Sequence, residues 1–247
     1  MRELPVPAQA TAQIEAMLGE HGLTDSAVAV AFFSFESPRS FIAARDPDGR
    51  LTPLIGFWPL PLRGADLLEE VASIDENGPR LIANYTRSFP ALVDSIRAFG
   101  SEFGPMESES LGWLLGACSL VMGMDEEDVA RALGPIQELV KVDTVVVEHD
   151  ERYIFDSRRL LRSLMSYRIG AVAKHVVARS VFESLGDYAA NAIRRLLRDW
   201  KVEVVICAGD LFARNVFLAE RTRRGLVRPK LAVYFPTEAT PAAAGVT

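Results

Sequence analysis

An α/β fold, built on a mixed sheet of about five strands and carrying a large helical insertion, is what the sequence predicts. Three observations carry that expectation. Strand-like runs near the N-terminus follow one another with short turns, the middle of the chain has mainly helical periodicity, and residues 200–220, WKVEVVICAGDLFARNVFLAE, read as strand, glycine turn and helix.

The elements follow in order. Ala8 to His21 has helical spacing of Ile14, Met17 and Leu18, and Gly22 closes it as a C-terminal cap. Ser26–Phe35, SAVAVAFFSF, is small, β-branched and aromatic, the composition of a buried strand. Ser37-Pro38 turns it toward a second strand at Ser40–Arg45. Asp46-Pro47-Asp48-Gly49 forms a turn, because proline presets φ and glycine accepts a positive one, and a third strand follows at Leu51–Trp58. Short turns between consecutive strands imply an antiparallel meander.

The segment 59–66, PLPLRGAD, leaves that sheet. Helices are expected near Ala65–Ile74, Phe89–Phe99, Ser108–Met122 and Glu126–Leu139, with a β-branched run at Val142–Glu148 and renewed helical pattern over Phe155–Tyr167. Ala171–Trp200 reads as one long helix with Ala173, Val176, Val177, Val181, Leu185, Tyr188, Ala192 and Leu196 along a stripe. The strand Val202–Cys207 passes through Ala208-Gly209-Asp210 into a helix reaching about Arg224, whose inner face would carry Leu211, Val216, Phe217 and Leu218. A last strand is expected at Lys230–Phe235.

The order β-β-β, helices, β, α, β describes a ribonuclease-H-like lobe of the actin/Hsp70-type ATPases, in which later strands pair parallel to the first through right-handed crossovers. The whole chain, 1–247, is expected to be one domain: a meander over 24–62, a mainly helical insertion over 63–170, the long helix plus βαβ over 171–238, and a small-residue tail over 239–247.

Composition narrows the function. The chain has 247 residues, 49% hydrophobic, and a formal net charge of −6. Its basic residues are dispersed apart from Arg194/Arg195/Arg198 and Arg221/Arg223/Arg224, which fit solvated helix faces, so nucleic acid is not an expected partner. Cys118 and Cys207 both lie in apolar surroundings, the pattern of buried reduced thiols in a cytoplasmic protein. No charged leader precedes an apolar core at the N-terminus, and no apolar run reaches the ~18 residues of a membrane span, so neither export nor a membrane is expected.

The candidate residues with chemistry are few. Strand, glycine turn and helix at Gly209-Asp210 form either an ordinary βα corner or a unit whose helix amides receive an anion. His21, His149 and His175 show no i,i+4 pair, so a histidine metal site is not expected. Cys207 is the one thiol near a helix start, though a buried core position accounts for it. Asp125-Glu126-Glu127-Asp128 opens a helix, which the macrodipole explains. Apolar residues in excess of what a meander edge needs, Phe57, Trp58, Leu60 and Leu62, together with Trp113, suggest a partner surface.

The chain resembles the C-terminal part of the hydrogenase-maturation carbamoyltransferases (HypF), and more distantly the O-carbamoyltransferases and threonylcarbamoyladenosine synthases. Leu54–Asp66, LIGFWPLPLRGAD, looks like the family stretch ending PFPLPGGD. Phe155–Ala192 looks like its helix pair, and Val204–Asn215 like the strand and loop that read SGGVFQN. Pro236 and Gly245 stand where the family has a proline and an Asp-Gly-Gly loop. By that resemblance Gly209, Asp210 and Asn215 are the residual nucleotide-binding positions.

Departures from the family pattern decide what the resemblance implies. Gly19-Glu20-His21-Gly22 matches a helix end, but the positions of the HHAH metal motif read Ala10-Thr11-Ala12-Gln13. The DGTGYG loop falls on Phe33-Ser34-Phe35-Glu36-Ser37-Pro38, and the acidic residue expected near the last glycines falls among Thr240–Ala243, none of them acidic. Gly209-Asp210 replaces Gly-Gly, and an aspartate at a helix start repels phosphate and caps the amides itself. The chain also begins near the lobe boundary, so the resemblance implies a single lobe, degenerate and truncated. The expectation is a non-catalytic relative with no catalytic residue, metal or cofactor. It would act as a binding or scaffold partner, or as a homo-oligomer, in [NiFe]-hydrogenase metallocentre assembly. The alternatives are a carbamoyl or nucleotide-dependent transferase whose site a second chain completes, and a pantothenate-kinase-like protein suggested by GDLFARN alone.

Overall fold

The computed structural model describes residues 6–100, 107–150, 152–200, 202, 204–227 and 231–236. The tail expected over 239–247, with Gly245 and positions 240–243, lies outside the described residues.

Helix α1 (Ala8–Glu20) precedes the meander β1 (Val28–Phe32), β2 (Phe41–Arg45) and β3 (Leu51–Phe57), in which β2 pairs antiparallel with both β1 and β3. The turn behaves as its residues require: the Gly49 amide donates to the Asp46 carbonyl at 3.1 Å and the Arg50 amide to the Asp46 carboxylate at 2.8 Å. β1 is buried on both faces because helices cover both. Val28, Val30 and Phe32 pack with Ile14, Met17 and Leu18 of α1, while Ala29, Ala31 and Phe33 join the larger core. Arg45, 4% exposed, clamps α1 to the sheet through Glu15 at 3.0 and 3.3 Å.

After β3 come a two-residue strand β4 (Leu60–Pro61), then α2 (Gly64–Ala72), α3 (Gly78–Ser88) and α4 (Pro90–Ala98). β5 (Glu107–Ser108) pairs with β4 as a separate small sheet and leads into α5 (Leu111–Met122) and α6 (Glu126–Ala132). α3 has no counterpart in the sequence reading. Its buried Tyr85, whose hydroxyl donates to the Val121 carbonyl, ties it to α5. α6 stops at Ala132 rather than Leu139, because Gly134-Pro135 follows and proline cannot continue a helix.

β6 (Val146–His149) and β7 (Arg152–Phe155) form an antiparallel hairpin, and β7 lies parallel to β3. The sheet therefore has seven strands among the described residues, in the order β6-β7-β3-β2-β1-β8-β9, rather than about five. The hairpin is hard to read because Arg152–Phe155 runs into the helix α7 (Ser157–Ile169), which Asp156 caps from its 1% exposed side chain.

The long helix α8 (Lys174–Trp200) crosses the sheet with Val177, Val181, Leu185, Tyr188, Ala192 and Leu196 buried; Ala173 precedes it and is exposed. β8 (Val204–Ala208) then pairs parallel with β1, and β9 (Ala232–Tyr234) parallel with β8, as the crossover reading requires. Between them the single expected helix is two, α9 (Asp210–Arg214) and α10 (Val216–Leu226). Asn215 breaks it: its backbone is extended and its side chain accepts from the Leu218 amide at 2.9 Å, an N-cap that competes with continuation. Val216 consequently turns outward and is 58% exposed, whereas Leu211 and Leu218 are buried and Phe217 is half-buried. α10 lies close on α8, where a Cβ on Gly186 would meet Arg221 Cβ at 2.7 Å.

Candidate functional site

The candidate site is the corner where β8 enters α9 beside the end of β1. Gly209 has φ 99°, and a Cβ there would stand 2.1 Å from the Phe33 carbonyl oxygen. Glycine is needed on both counts. The two loops are stitched by backbone: the Phe33 amide donates to Ala208 at 2.9 Å, and the Leu211 amide donates to Phe33 at 3.2 Å. A helix-start amide that would face an anion is thus already taken.

Asp210 completes the stitching in a way the sequence did not suggest. It occupies the first turn of α9, and Gly209 is the capping position. Instead of capping its own helix, its carboxylate accepts from the Ser34 hydroxyl and from the Phe35 amide, the latter at 3.0 Å. Ser34 Oγ in turn accepts from the amides of Glu36 and Ser37 at 3.2 and 3.0 Å. Arg214 links the same two loops, 2.8 Å from Glu36 and 3.7 Å from Asp210. Residues 33–37 and 209–214 therefore form one closed unit.

Below that unit the space is filled by rings. Phe33 stacks on Phe212 at 5.2 Å and meets Phe57 edge-on at 5.7 Å; Phe155 lies 5.2 Å from Phe57 and 4.7 Å from Tyr188. The strand ends of β1, β3 and β7 thus converge with α8 and α9 on aromatic contacts. Burial pushes the Tyr188 phenol well above its ordinary value, and its buried hydroxyl has no hydrogen-bond partner among the described residues. Such an environment favours uncharged groups.

Among the described residues no cluster of three or more His, Cys, Asp or Glu side chains is placed to hold a metal ion. The histidines stand apart: His21 against Tyr234 at the end of α1, His149 against Trp58 on β6, and His175 in the first turn of α8. Cys118 and Cys207 are buried and reduced, and burial pushes both thiols up, so Cys207 is a core residue and not an activated one. No helix of the described residues is long and apolar enough to cross a membrane.

The expected partner surface is corrected in part. Phe57 and Leu60 are 2% and 1% exposed and belong to the core, because β3 is an interior strand and β4 is covered. Trp58 is half-buried between His149 at 4.5 Å and the Arg158 guanidinium at 3.2 Å, and Leu62 is half-buried. Trp113 is half-buried, stacked on Phe99 at 5.5 Å, with its indole N–H donating to Pro61 at 3.1 Å.

Sequence reasoning missed two clefts that flank α5. One, of about 390 Å³, opens beside Asn215 and is lined mainly by apolar groups including Phe35, Leu115, Phe182 and Phe217. The other, of about 340 Å³, lies between α4 and α5 against Leu92, Phe99, Trp113 and Leu120. Their signal in sequence is a helix, LGWLLGACSLVM, with no charged residue on any side.

No family model matches the chain. It is 27% identical over 221 residues to Protein HydE of Wolinella succinogenes, covering 83% of this chain and 38% of that protein. Its fold matches a crystal structure of full-length HypF in the phosphate- and nucleotide-bound form with TM-score 0.67 at 15% identity, covering 93% of this chain and 33% of that one. The HypF of T. kodakarensis matches with TM-score 0.63 at 13% identity, over 92% of this chain and 33% of that one. The chain thus spans 33–38% of the length of these proteins. In fold it is a HypF-like domain.

Proposed function

We propose that this chain is a HypF-like domain that acts by binding rather than by catalysis, in hydrogenase maturation. The observation that carries this reading is the closed corner at Asp210. By the resemblance, residues 33–38 and 209–215 are the loops that in active relatives approach metal and phosphate. Here Asp210 bonds the one loop to the other, and the Phe33 carbonyl takes the Leu211 amide. A carboxylate in the phosphate position opposes a polyanion by charge, and the rings of Phe33, Phe57, Phe155 and Phe212 occupy the volume below it. The fold assignment belongs to the same proposal: the run β3-β2-β1-β8-β9, with β1, β8 and β9 parallel, supports a ribonuclease-H-like, actin/Hsp70-type lobe. So does a reducing cytoplasmic setting, in which Cys118 and Cys207 stay free.

Titration calorimetry and a carbamoyl-transfer assay with ATP, divalent metal and carbamoyl phosphate test the proposal. The reading predicts no heat of binding and no turnover; micromolar affinity together with turnover overturns it.

A second reading is supported by the cleft of about 390 Å³ beside Asn215. In it the lobe contributes half of a transferase site that another chain completes, and Asn215 contacts the nucleotide. Because Asn215 also caps α10, Asn215→Ser is the informative variant: it keeps a capping oxygen and removes the amide donor. Loss of activity in a reconstituted complex, with unchanged thermal stability, would support this alternative.

A further inference from the structure

The donors that hold the Asp210 carboxylate come from the loop after β1 and not from its own helix. Ser34 is fully buried, and its Oγ accepts from the Glu36 and Ser37 amides at 3.2 and 3.0 Å. A hydroxyl has two lone pairs and one proton. With both lone pairs taken, the proton is directed at Asp210 Oδ1, and the Phe35 amide reaches the same oxygen at 3.0 Å. The loop therefore presents an O–H and an N–H to one point, fixed in direction before any anion arrives there.

Asp210 fills that point unevenly. Its Oδ2 is buried without a hydrogen-bond partner among the described residues, and the Arg214 guanidinium stands 3.7 Å from it, drawn instead to Glu36 at 2.8 Å. A carboxylate tethered through its Cβ here has one oxygen served and the other not. A free carboxylate can turn until its second oxygen meets Arg214, and charge-assisted bonds of that kind are the strong ones. The frame does not depend on Asp210: β1 pairs parallel with β8, the Phe33 amide donates to Ala208, and the Leu211 amide donates to Phe33.

We propose that Ser34, the Phe35 amide and Arg214 form an oxyanion site whose occupant is the chain's own Asp210, and that a small free carboxylate takes the same place when the tethered one is withdrawn. The ligand class follows from the surroundings. Glu36 holds the far side of the Arg214 guanidinium, so a monoanion is favoured there over a phosphate dianion. The tether gives Asp210 an effective concentration that a dilute free anion does not match, so the wild-type corner stays closed and this one side chain decides what it excludes. The inference rests on the closed corner proposed above. Nucleotide binding to the wild-type chain tests that reading, and a carboxylate added to a variant tests this one.

Thermal unfolding and amide exchange of Asp210→Ala in the full chain, with sodium formate against sodium chloride at equal ionic strength, are the test. Formate tenfold above its dissociation constant is expected to raise the midpoint of the variant by about 3–6 °C over chloride. It should also slow exchange at Phe35, whose amide loses its acceptor in the variant. The wild-type chain is expected to show neither response. Adding Ser34→Ala removes a donor to the charged ligand, so the double variant should bind formate about tenfold more weakly or worse. Asp210→Ser opens much of the same space with a residue suited to a helix start, and it carries the same expectation where the alanine variant is too unstable to measure. Formate no better than chloride, a gain shared by the wild type, or exchange at Phe35 that formate leaves unchanged overturns the inference. So does phosphate dianion that protects Phe35 better than formate.

Discussion

The Asp210 carboxylate accepts a hydrogen bond from the Phe35 amide at 3.0 Å and another from the Ser34 hydroxyl, joining residues some 175 positions apart in the chain. Asp210→Ala leaves both donors without this acceptor in a partly buried corner, with an expected cost of about 1–3 kcal/mol in urea denaturation. Asp210→Asn keeps one acceptor oxygen and is expected to lose less. Combining Asp210→Ala with Ser34→Ala should cost less than the sum of the single changes, and strict additivity would show that the pair is not coupled.

Gly209 has a positive φ and a carbonyl oxygen where a Cβ would go. Gly209→Ala combines backbone strain with a clash against Phe33, so the expected loss is about 2–4 kcal/mol or more. A thermal midpoint within a degree or so of wild type would mean that the corner is looser than described.

Tyr188 carries a buried hydroxyl, without a partner among the described residues, amid the rings of Phe33, Phe57 and Phe155. Removing an unpaired polar group relieves its desolvation, so Tyr188→Phe is expected to be neutral or to stabilise by up to about 1 kcal/mol. Tyr188→Ala opens a cavity in the same place and should cost about 3–5 kcal/mol. A destabilised Phe variant would reveal a hydrogen bond, such as one to buried water, that the phenol makes in solution.

The acid limb of stability has identifiable contributors. The hydrogen bond from Arg162 holds the Asp75 carboxyl below its ordinary value of 3.8, and the hydrogen bond from Lys174 does the same for Asp128. A lowered folded value means that the ion pairs contribute fully above the unfolded value and that the contribution disappears as pH falls through the folded one. Asp75→Asn and Asp128→Asn are therefore expected to lower stability at neutral pH and to converge on wild type in acid. A constant difference from neutral to acid pH would exclude the assignment.

How much of this was readable in sequence depends on the range of the interaction. Local signals served well. The turn at Asp46–Gly49, the meander, the long amphipathic helix and the strand leading to Gly209 follow from patterns a few residues long. The hairpin β6–β7 did not announce itself, because four residues ending in Phe155 merge with a helical pattern. The sequence pattern runs through Asn215 as one helix, although the preference of asparagine for a capping position is visible in its type. The role of Asp210 needed the fold. Its residue type suggests a local cap, and only the parallel pairing of β1 with β8 brings Ser34 and Phe35 within reach. Phe57 and Leu60 illustrate the converse, since an apolar run looks like a surface until its neighbours in the sheet are known.

Amide hydrogen exchange at Phe35 and Leu211, with and without magnesium and ATP, tests the closed corner most directly. Both amides donate to protein acceptors here, to Asp210 and to Phe33. The account predicts that both are protected in the free chain and that their rates do not change on adding nucleotide. Exchange at the rate of exposed amides, or protection that appears only when nucleotide is added, would contradict it: the corner would then be an open phosphate cradle, and the binding-only reading would fall.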